Sequence, residues 1–343
     1  MISLTKGNIL KADAEVLVNT VNCVGYMGKG IALQFKKAYP DNFEAYHKAC
    51  KQNKVVIGKM FVYKIQDLFN PKYIINFPTK NHWRGKSRLE DIESGIAGLI
   101  ATIKDLCINS IAIPPLGCGL GGLDWKKVRP LIEKALAEVP QVEVLLYEPA
   151  GAPEAKTMPI GTTKPKMTVA RALLIKLMQQ YAEFAYRLTL LEIQKLAYFI
   201  QEAGQKLRLS FSAGIYGPYA PNLNKVLEVL EGHSIRGYGD TQKPDVEIEL
   251  LEGAAEKADE YLMSDEESNQ RLRKVARLIS GFETPYGMEL LSSVHWVTKK
   301  VDDPATNPDK AIEKVHGWNS RKRMFKPDHI RIAWEQLKSE GWL

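Results

Sequence analysis

Short apolar runs alternate with helical patterns over the first 150 residues. Residues 14–21 (AEVLVNTV) form a run of buried-strand type, and residues 31–39 carry helical spacing that Pro40 closes. Residues 59–65 and 73–77 read as strands bounded by Asn and Pro signals. Residues 89–105 place Leu89, Ile92, Ile96, Leu99, Ile100 and Ile103 on one helix face. Residues 110–114 form a strand leading into a glycine-rich loop, residues 125–139 are helical, and 142–147 are a last strand. Strands alternating with helices predict an α/β layered domain over residues 1–150.

The pattern then changes. Prolines recur through residues 148–167 without periodicity, which predicts an exposed linker over 151–167. Beyond it, helical spacing dominates at 169–186, 189–203, 224–231, 269–280 and 328–339. A loop with IYGPYAPNL (215–223) and an acidic stretch (245–267) interrupt it. Residues 168–343 therefore read as a second, mainly helical domain.

Composition narrows the class. Of 343 residues, 45% are hydrophobic and 25% charged, which are globular values. The four cysteines, Cys23, Cys50, Cys107 and Cys118, have no disulfide or zinc spacing and read as reduced thiols of a cytoplasmic protein. No signal peptide is legible, and the longest apolar stretch, 96–103, is too short to cross a bilayer. The net charge is +7. Residues 1–150 hold 20 of the 47 Lys/Arg but 14 of the 40 Asp/Glu, so +6 of the excess lies there. That suits an anionic ligand, and it equally suits a mildly basic soluble protein.

Three segments carry candidate chemistry. In NTVNCVGYMGKGIALQF (19–35), glycines follow a strand and precede a helix start, the arrangement of a diphosphate cradle or of a structural turn. In PPLGCGLGGLDW (114–125), four glycines lie within six residues, again after a strand. Two such loops at strand C-termini can converge on one crevice. In NFPTKNHWRGKSRLED (76–91), Lys80 lies in a loop after a strand. A neutral lysine is a nucleophile toward an anomeric carbon, and His82, Arg84 and Lys86 are cations or near-cations that could lower its pKa or hold phosphates. Spacing alone leaves Lys80 as one of many solvated lysines. Trp83 can stack on a base or pack on the fold. The histidines make no metal spacing.

Together these segments resemble a macrodomain, the ADP-ribose-binding three-layer α/β/α fold with a mixed central sheet. FPTK, the following Trp and SRLEDIESGI are similar to the branch holding terminal ADP-ribose protein glycohydrolase and the DarG antitoxins. The protein-directed enzymes place an Asp in the second glycine loop. Here that position is Gly121, and the nearest acid is Asp124. This fits the DarG branch, whose members remove ADP-ribose from DNA bases. IQKLAYFIQEAG and YGPYAPNL resemble the SocA-like domain that follows the DarG macrodomain.

The resemblance implies that Lys80 is catalytic. It implies adenosine contacts at Asn8 and Ile9, where most macrodomains have Asp in place of Asn8. Asn22 would bond the distal ribose, with Thr20, Thr79 and Trp83 also lining the ligand. The diphosphate would lie between Gly28, Gly30 and Ile31 on one side and Gly117, Cys118, Gly119, Leu120 and Gly121 on the other. The substrate would be single-stranded DNA carrying ADP-ribose on a base, most simply thymine, with ADP-ribose as product and no metal or cofactor. The second domain would bind a DarT toxin, with acids such as Asp245, Glu247, Glu249, Glu252 and 265–267 facing it. A protein- or O-acetyl-ADP-ribose hydrolase and a non-catalytic reader are the competing readings.

Overall fold

The computed structural model describes residues 1–66, 69–149, 158–184, 187–239 and 244–343. The chain forms two compact units, Met1–Thr163 and Lys164–Leu343.

The first unit contains β1 (Ile2–Thr5), β2 (Val16–Asn22), α1 (Gly30–Ala38), α2 (Pro40–Lys51), β3 (Phe61–Lys64), β4 (Tyr73–Lys80), α3 (Leu89–Asp105), β5 (Ser110–Ile113), α4 (Trp125–Leu136) and β6 (Glu143–Tyr147). The six strands form one sheet in the order β1-β6-β5-β2-β4-β3. All pairings are parallel except β3 with β4. The mixed sheet thus has its parallel strand ends aligned at one edge, where ligands bind in such folds.

Side-chain alternation divides the core. Val16 and Val18, Ile75 and Phe77, and Ile111 and Ile113 point to one face, where they meet Ile92, Ile96 and Ile100 of α3 and Val128 and Ile132 of α4. Leu17, Ile74 and Ala112 point to the other face and meet Phe35 of α1. Val21 and Met27 pack with Tyr46 and Cys50 of α2. β2 is buried on both faces, and its Val16–Val18 run with Val21 made it legible although Asn19 and Thr20 interrupt it.

Three local readings differ from the sequence expectation. Pro40 does close α1, but it also opens α2 as its first residue, where its missing N–H costs nothing. β4 extends past Pro78 to Lys80, so Lys80 is a strand terminus opposite Asn22 in register, at a bulge between Val21 and Asn22. The linker expectation covers two kinds of residue. Residues 151–157 lie outside the described residues. Met158 packs on the α1 face of the sheet, and the Gly161 N–H donates to the Lys37 carbonyl at 2.7 Å.

The second unit is mainly helical: α5 (Val169–Phe184), α6 (Leu190–Glu202), α7 (Leu223–Leu230), α8 (Ala254–Leu262), α9 (Glu266–Ile279), α10 (Pro285–Lys299), α11 (Pro308–Trp318) and α12 (Pro327–Ser339). Residues 185–186 of the first helix expected here lie outside the described residues. A hairpin, β7 (Ser212–Gly214) and β8 (Gly217–Tyr219), and a short pair, β9 (Ile235–Arg236) with β10 (Glu249–Leu250), complete it. α6 and α10 are buried nearly all round. The hairpin is clamped onto α6: Gln194 exchanges two hydrogen bonds with the Ala220 backbone, and Lys195 Nζ donates to the Pro218 carbonyl at 2.7 Å. The two segments that carried the resemblance in this half are therefore partners in space. Among the described residues, no helix is long and apolar enough to cross a membrane.

Candidate active site

Three loops leave the same edge of the sheet: residues 23–29 after β2, 81–88 after β4 and 114–124 after β5. Direct contacts join them. The Cys23 N–H donates to the Asn81 carbonyl at 3.2 Å, and the Ser87 N–H to the Gly121 carbonyl at 3.0 Å. Lys80 Nζ donates to the carbonyl of Gly85 at 3.2 Å and to that of Leu120 at 3.4 Å. The lysine at the end of β4 thus bridges two of the loops.

Burial, with the nearby Lys29 ammonium adding to it, lowers the Lys80 pKa below the ordinary lysine value. Both effects favour the neutral amine a nucleophile requires. The charge that bears on Lys80 is Lys29, from the first loop, rather than Arg84 or Lys86 from its own. Sequence spacing could not have shown this, because 51 positions of chain and a strand crossover separate the two lysines.

The glycine-rich third loop is shaped around its backbone. Gly117 has φ +70°. A side chain at Gly121 would put its Cβ 2.3 Å from the Gly117 carbonyl oxygen and 2.4 Å from Ser87 Oγ. An aspartate cannot enter that position without opening the turn. The Gly122 and Leu123 N–H groups close the loop on the carbonyls of Gly119 and Gly117. Among the described residues, the N–H groups of Gly119, Leu120 and Gly121 donate to no protein acceptor. Unpaired successive N–H groups make an anion-binding concavity.

The first loop faces it. Gly30, the first residue of α1, has φ +59°, and a Cβ there would come within 3.2 Å of Leu120 Cδ1. The left-handed backbone favours glycine here, whereas the exposed Leu120 side chain could give way to a Cβ. No side chain caps α1, so its first N–H groups and positive helix end are left to a ligand. Gly28 is buried and Ile31 is half-buried against the core. Cys118 Sγ donates to the Leu116 carbonyl at 3.4 Å, and burial raises its pKa to about 11. Burial likewise raises Cys23 to about 11. Neither thiol is a nucleophile at neutral pH.

Other expected ligand residues are committed within the protein. Asn22 Oδ1 accepts from the N–H groups of Val24 at 3.0 Å and Tyr26 at 3.3 Å, and its Nδ2 donates to the Tyr26 carbonyl at 2.6 Å. Asn22 therefore shapes the first loop. Tyr46 supports it by donating its hydroxyl to the Asn22 carbonyl at 2.6 Å. Thr79 Oγ1 donates to the Val21 carbonyl at 3.3 Å, and Thr20 is half-buried within β2. Asn8 lies past the end of the edge strand β1. Its Oδ1 caps Leu10 N–H at 3.0 Å and its Nδ2 donates to Met158 Sδ at 3.2 Å, while Ile9 is core.

Trp83 is half-buried in a small aromatic group at the mouth. Its ring centroid is 5.4 Å from that of Tyr26 and 5.4 Å from that of His82, with the Arg84 guanidinium 4.6 Å above it. Tyr26 is 37% exposed, so a stacking surface faces solvent beside Lys80. Sequence reading missed Tyr26, although its place in a glycine-rich ligand loop was a signal. It also missed a buried amide network, in which Asn19 Nδ2 donates to Asn76 Oδ1 at 2.9 Å and Asn76 Nδ2 to Asn42 Oδ1 at 2.7 Å. That network ties β2 and β4, the strands that deliver the first and second loops, to α2.

A mixed six-stranded sheet with two backbone cradles at one edge defines the class, and residues 18–132 match the Macro domain family. The chain belongs to the DNA ADP-ribosyl glycohydrolase (DarG) family. It is 45% identical to the DNA ADP-ribosyl glycohydrolase of Thermus aquaticus, covering all of this chain and 94% of that protein. It is 42% identical to the protein of that name from Mycobacterium tuberculosis, over 98% of this chain and 99% of the other. A DNA ADP-ribosyl transferase-DNA ADP-ribosyl glycohydrolase fusion protein of Thermosipho africanus is 35% identical over 43% of this chain and 42% of its own length.

Proposed function

We propose that this chain hydrolyses ADP-ribose from a base of single-stranded DNA, with thymine the base, and that Lys80 is the catalytic nucleophile. The observation that carries the reading is the placement of Lys80 Nζ where the three loops meet, with its pKa lowered beside two backbone anion cradles. The relatives' names supply the substrate class.

The diphosphate of the ligand lies between the start of α1 and the N–H groups of 119–121. Oriented dipoles there hold the charge without reorganising. The neutral Lys80 amine attacks the distal C1″. The Nζ–C1″ bond forms, the C1″–N bond to the base breaks, and the base nitrogen leaves with the electron pair and takes a proton. Water then attacks C1″, releasing ADP-ribose and restoring the amine. The departing base rests against Tyr26 and Trp83. Gly121, whose position admits no acid side chain, favours this lysine chemistry over a carboxylate-assisted one.

The helical unit serves as the toxin-binding half of an antitoxin. The transferase–glycohydrolase fusion in a relative supports pairing of the two activities. Asp245, Glu247, Glu249 and Glu252 are exposed there, although Glu247 pairs with Arg187 at 2.8 Å. Residues 265–267 are already engaged: Asp265 caps α9, and Glu266 and Glu267 pair with Arg273 and Arg271. The acids proposed for the toxin face are then those without an ion pair among the described residues, Asp245, Glu249 and Glu252.

The test is ADP-ribose release from thymine-ADP-ribosylated single-stranded DNA, with ADP-ribosylated protein in parallel, for wild type and Lys80→Ala. Release from DNA by wild type and loss in the variant is the expected result. Release from protein alone would move the activity to protein substrates, and wild-type turnover by Lys80→Ala would remove the lysine from the mechanism.

A further inference from the structure

The helical unit carries a second concentration of positive charge, remote in sequence from every residue of the crevice. A cavity of about 510 Å³, open to solvent, is lined by Lys164, Lys166, Arg171, Lys257, Glu260 and Tyr261. Four cations face one carboxylate. Among the described residues, none of the four cations forms an ion pair. The neighbouring lysine on the same two helices behaves differently: Lys176 of α5 pairs with Asp259 of α8 at 2.7 Å. Lys257 of α8 instead stands beside Lys164, and this proximity lowers the Lys164 pKa. The Arg171 guanidinium donates to the Lys166 carbonyl, which fixes the course of the segment entering α5.

Two ammonium groups held together repel each other unless an anion lies between them. The cavity is within the roughly 300–1,000 Å³ range of small-ligand sites and is ample for one nucleotide. At its rim Tyr261 is 46% exposed, an uncovered aromatic face next to the cations. Cations along a groove with an aromatic platform form the recognition chemistry of single-stranded nucleic acid. An acidic peptide would use the charges and leave the ring idle.

We propose that this cavity binds a nucleotide unit of single-stranded DNA, with a backbone phosphate between Lys164 and Lys257 and the base on Tyr261. The site reads no base edge, so it grips a strand of any sequence. The proposal rests on DNA being the substrate, and it adds a strand-holding site on the unit that lacks the hydrolytic crevice. Strand tethering by the same chain raises the local concentration of modified bases.

The experiment is fluorescence anisotropy of a short labelled oligothymidylate, unmodified, with the full-length protein at several salt concentrations. The Lys164→Gln/Lys257→Gln double variant should bind about 10-fold more weakly, with a log–log salt slope shallower by about 0.7, the value for one phosphate no longer neutralised. Tyr261→Ala should weaken binding by about 5- to 10-fold with the slope unchanged. All three side chains are exposed, and unchanged thermal melting serves as the folding control. Wild-type affinity and slope in the double variant overturn the proposal. So does competition by inorganic phosphate alone, or by oligoglutamate, as effective as that by oligonucleotide. ADP-ribose release from modified DNA is measured on the same wild-type preparation. Release alongside unaltered variant binding removes only this site, whereas absence of release removes the DNA substrate itself.

Discussion

The Lys80 ammonium donates to the Leu120 carbonyl at 3.4 Å, joining the end of β4 to the loop whose 119–121 N–H groups have no protein acceptor among the described residues. Its other protein acceptor is Gly85, and its charged neighbour is Lys29. The amine is thus held in place while its protonated form is disfavoured. An amine with a lowered pKa predicts an ascending limb in the pH dependence of turnover, positioned below the ordinary lysine range.

Lys29→Met removes the neighbouring cation. The Lys80 pKa rises as a result, and the ascending limb of kcat moves to higher pH. A pH–rate profile at saturating substrate measures this. An unmoved limb in the variant would show that Lys29 has no electrostatic bearing on turnover.

Gly121→Asp places the acid of the protein-directed pattern into this loop. Its Cβ meets the Gly117 carbonyl and Ser87 Oγ, so the loop opens and the three N–H donors lose their alignment. ADP-ribose binding by calorimetry should weaken by at least about 10-fold, since overpacking of this kind costs about 1–3 kcal/mol. Gly119→Ala is the control: nothing lies within 4 Å of its Cβ. Its melting temperature should be that of wild type.

Asn22→Ala separates a loop-shaping role from a ribose contact. Losing three hydrogen bonds from a buried amide should lower stability by about 1–3 kcal/mol even without ligand. Urea unfolding of the free protein measures it. Unchanged stability with impaired binding would return Asn22 to the ligand.

The helical unit should lose stability in acid. Burial lowers His295 to about 3, and its Nδ1 meets the Tyr198 hydroxyl at 2.7 Å. The unfolded chain protonates this group near 6.5 while the folded chain does not. The contribution is complete above about pH 6.5 and is lost as pH falls toward 3, at up to about 1.4 kcal/mol per pH unit. His295→Phe should flatten the pH dependence of urea unfolding between about pH 6.5 and pH 4. A slope equal to that of wild type would assign acid sensitivity elsewhere.

Much of the α/β unit was legible because its core repeats simple periods. α3 was placed at both ends by Ile92, Ile96, Leu99 and Ile103, and β2 by the apolar Val16–Val18 run with Val21 beyond it. α2 was not legible, because Pro40 ends one helix and begins the next. α10 was missed for another reason: it is buried nearly all round, so its Glu289, Ser292, Ser293 and His295 lie inside with the apolar residues and mark no solvent face. In the site, the glycine loops were visible as composition, whereas Lys29, Tyr26 and the Asn19–Asn76–Asn42 network depend on strand order. Asn22 was visible too, but its hydrogen bonds turn inward to the loop, a direction that spacing does not carry.

The cradle proposed for the diphosphate consists of main-chain amides, which neither gain nor lose a proton over the working range of an enzyme. Lys80 does titrate. Grip and turnover therefore answer to different variables: affinity for the ligand should stay level across pH values at which hydrolysis rises from slow to fast. Below the pH at which Lys80 gives up its proton the protein would become a clamp, occupied by its substrate and idle, and raising the pH would set it working without a new binding event.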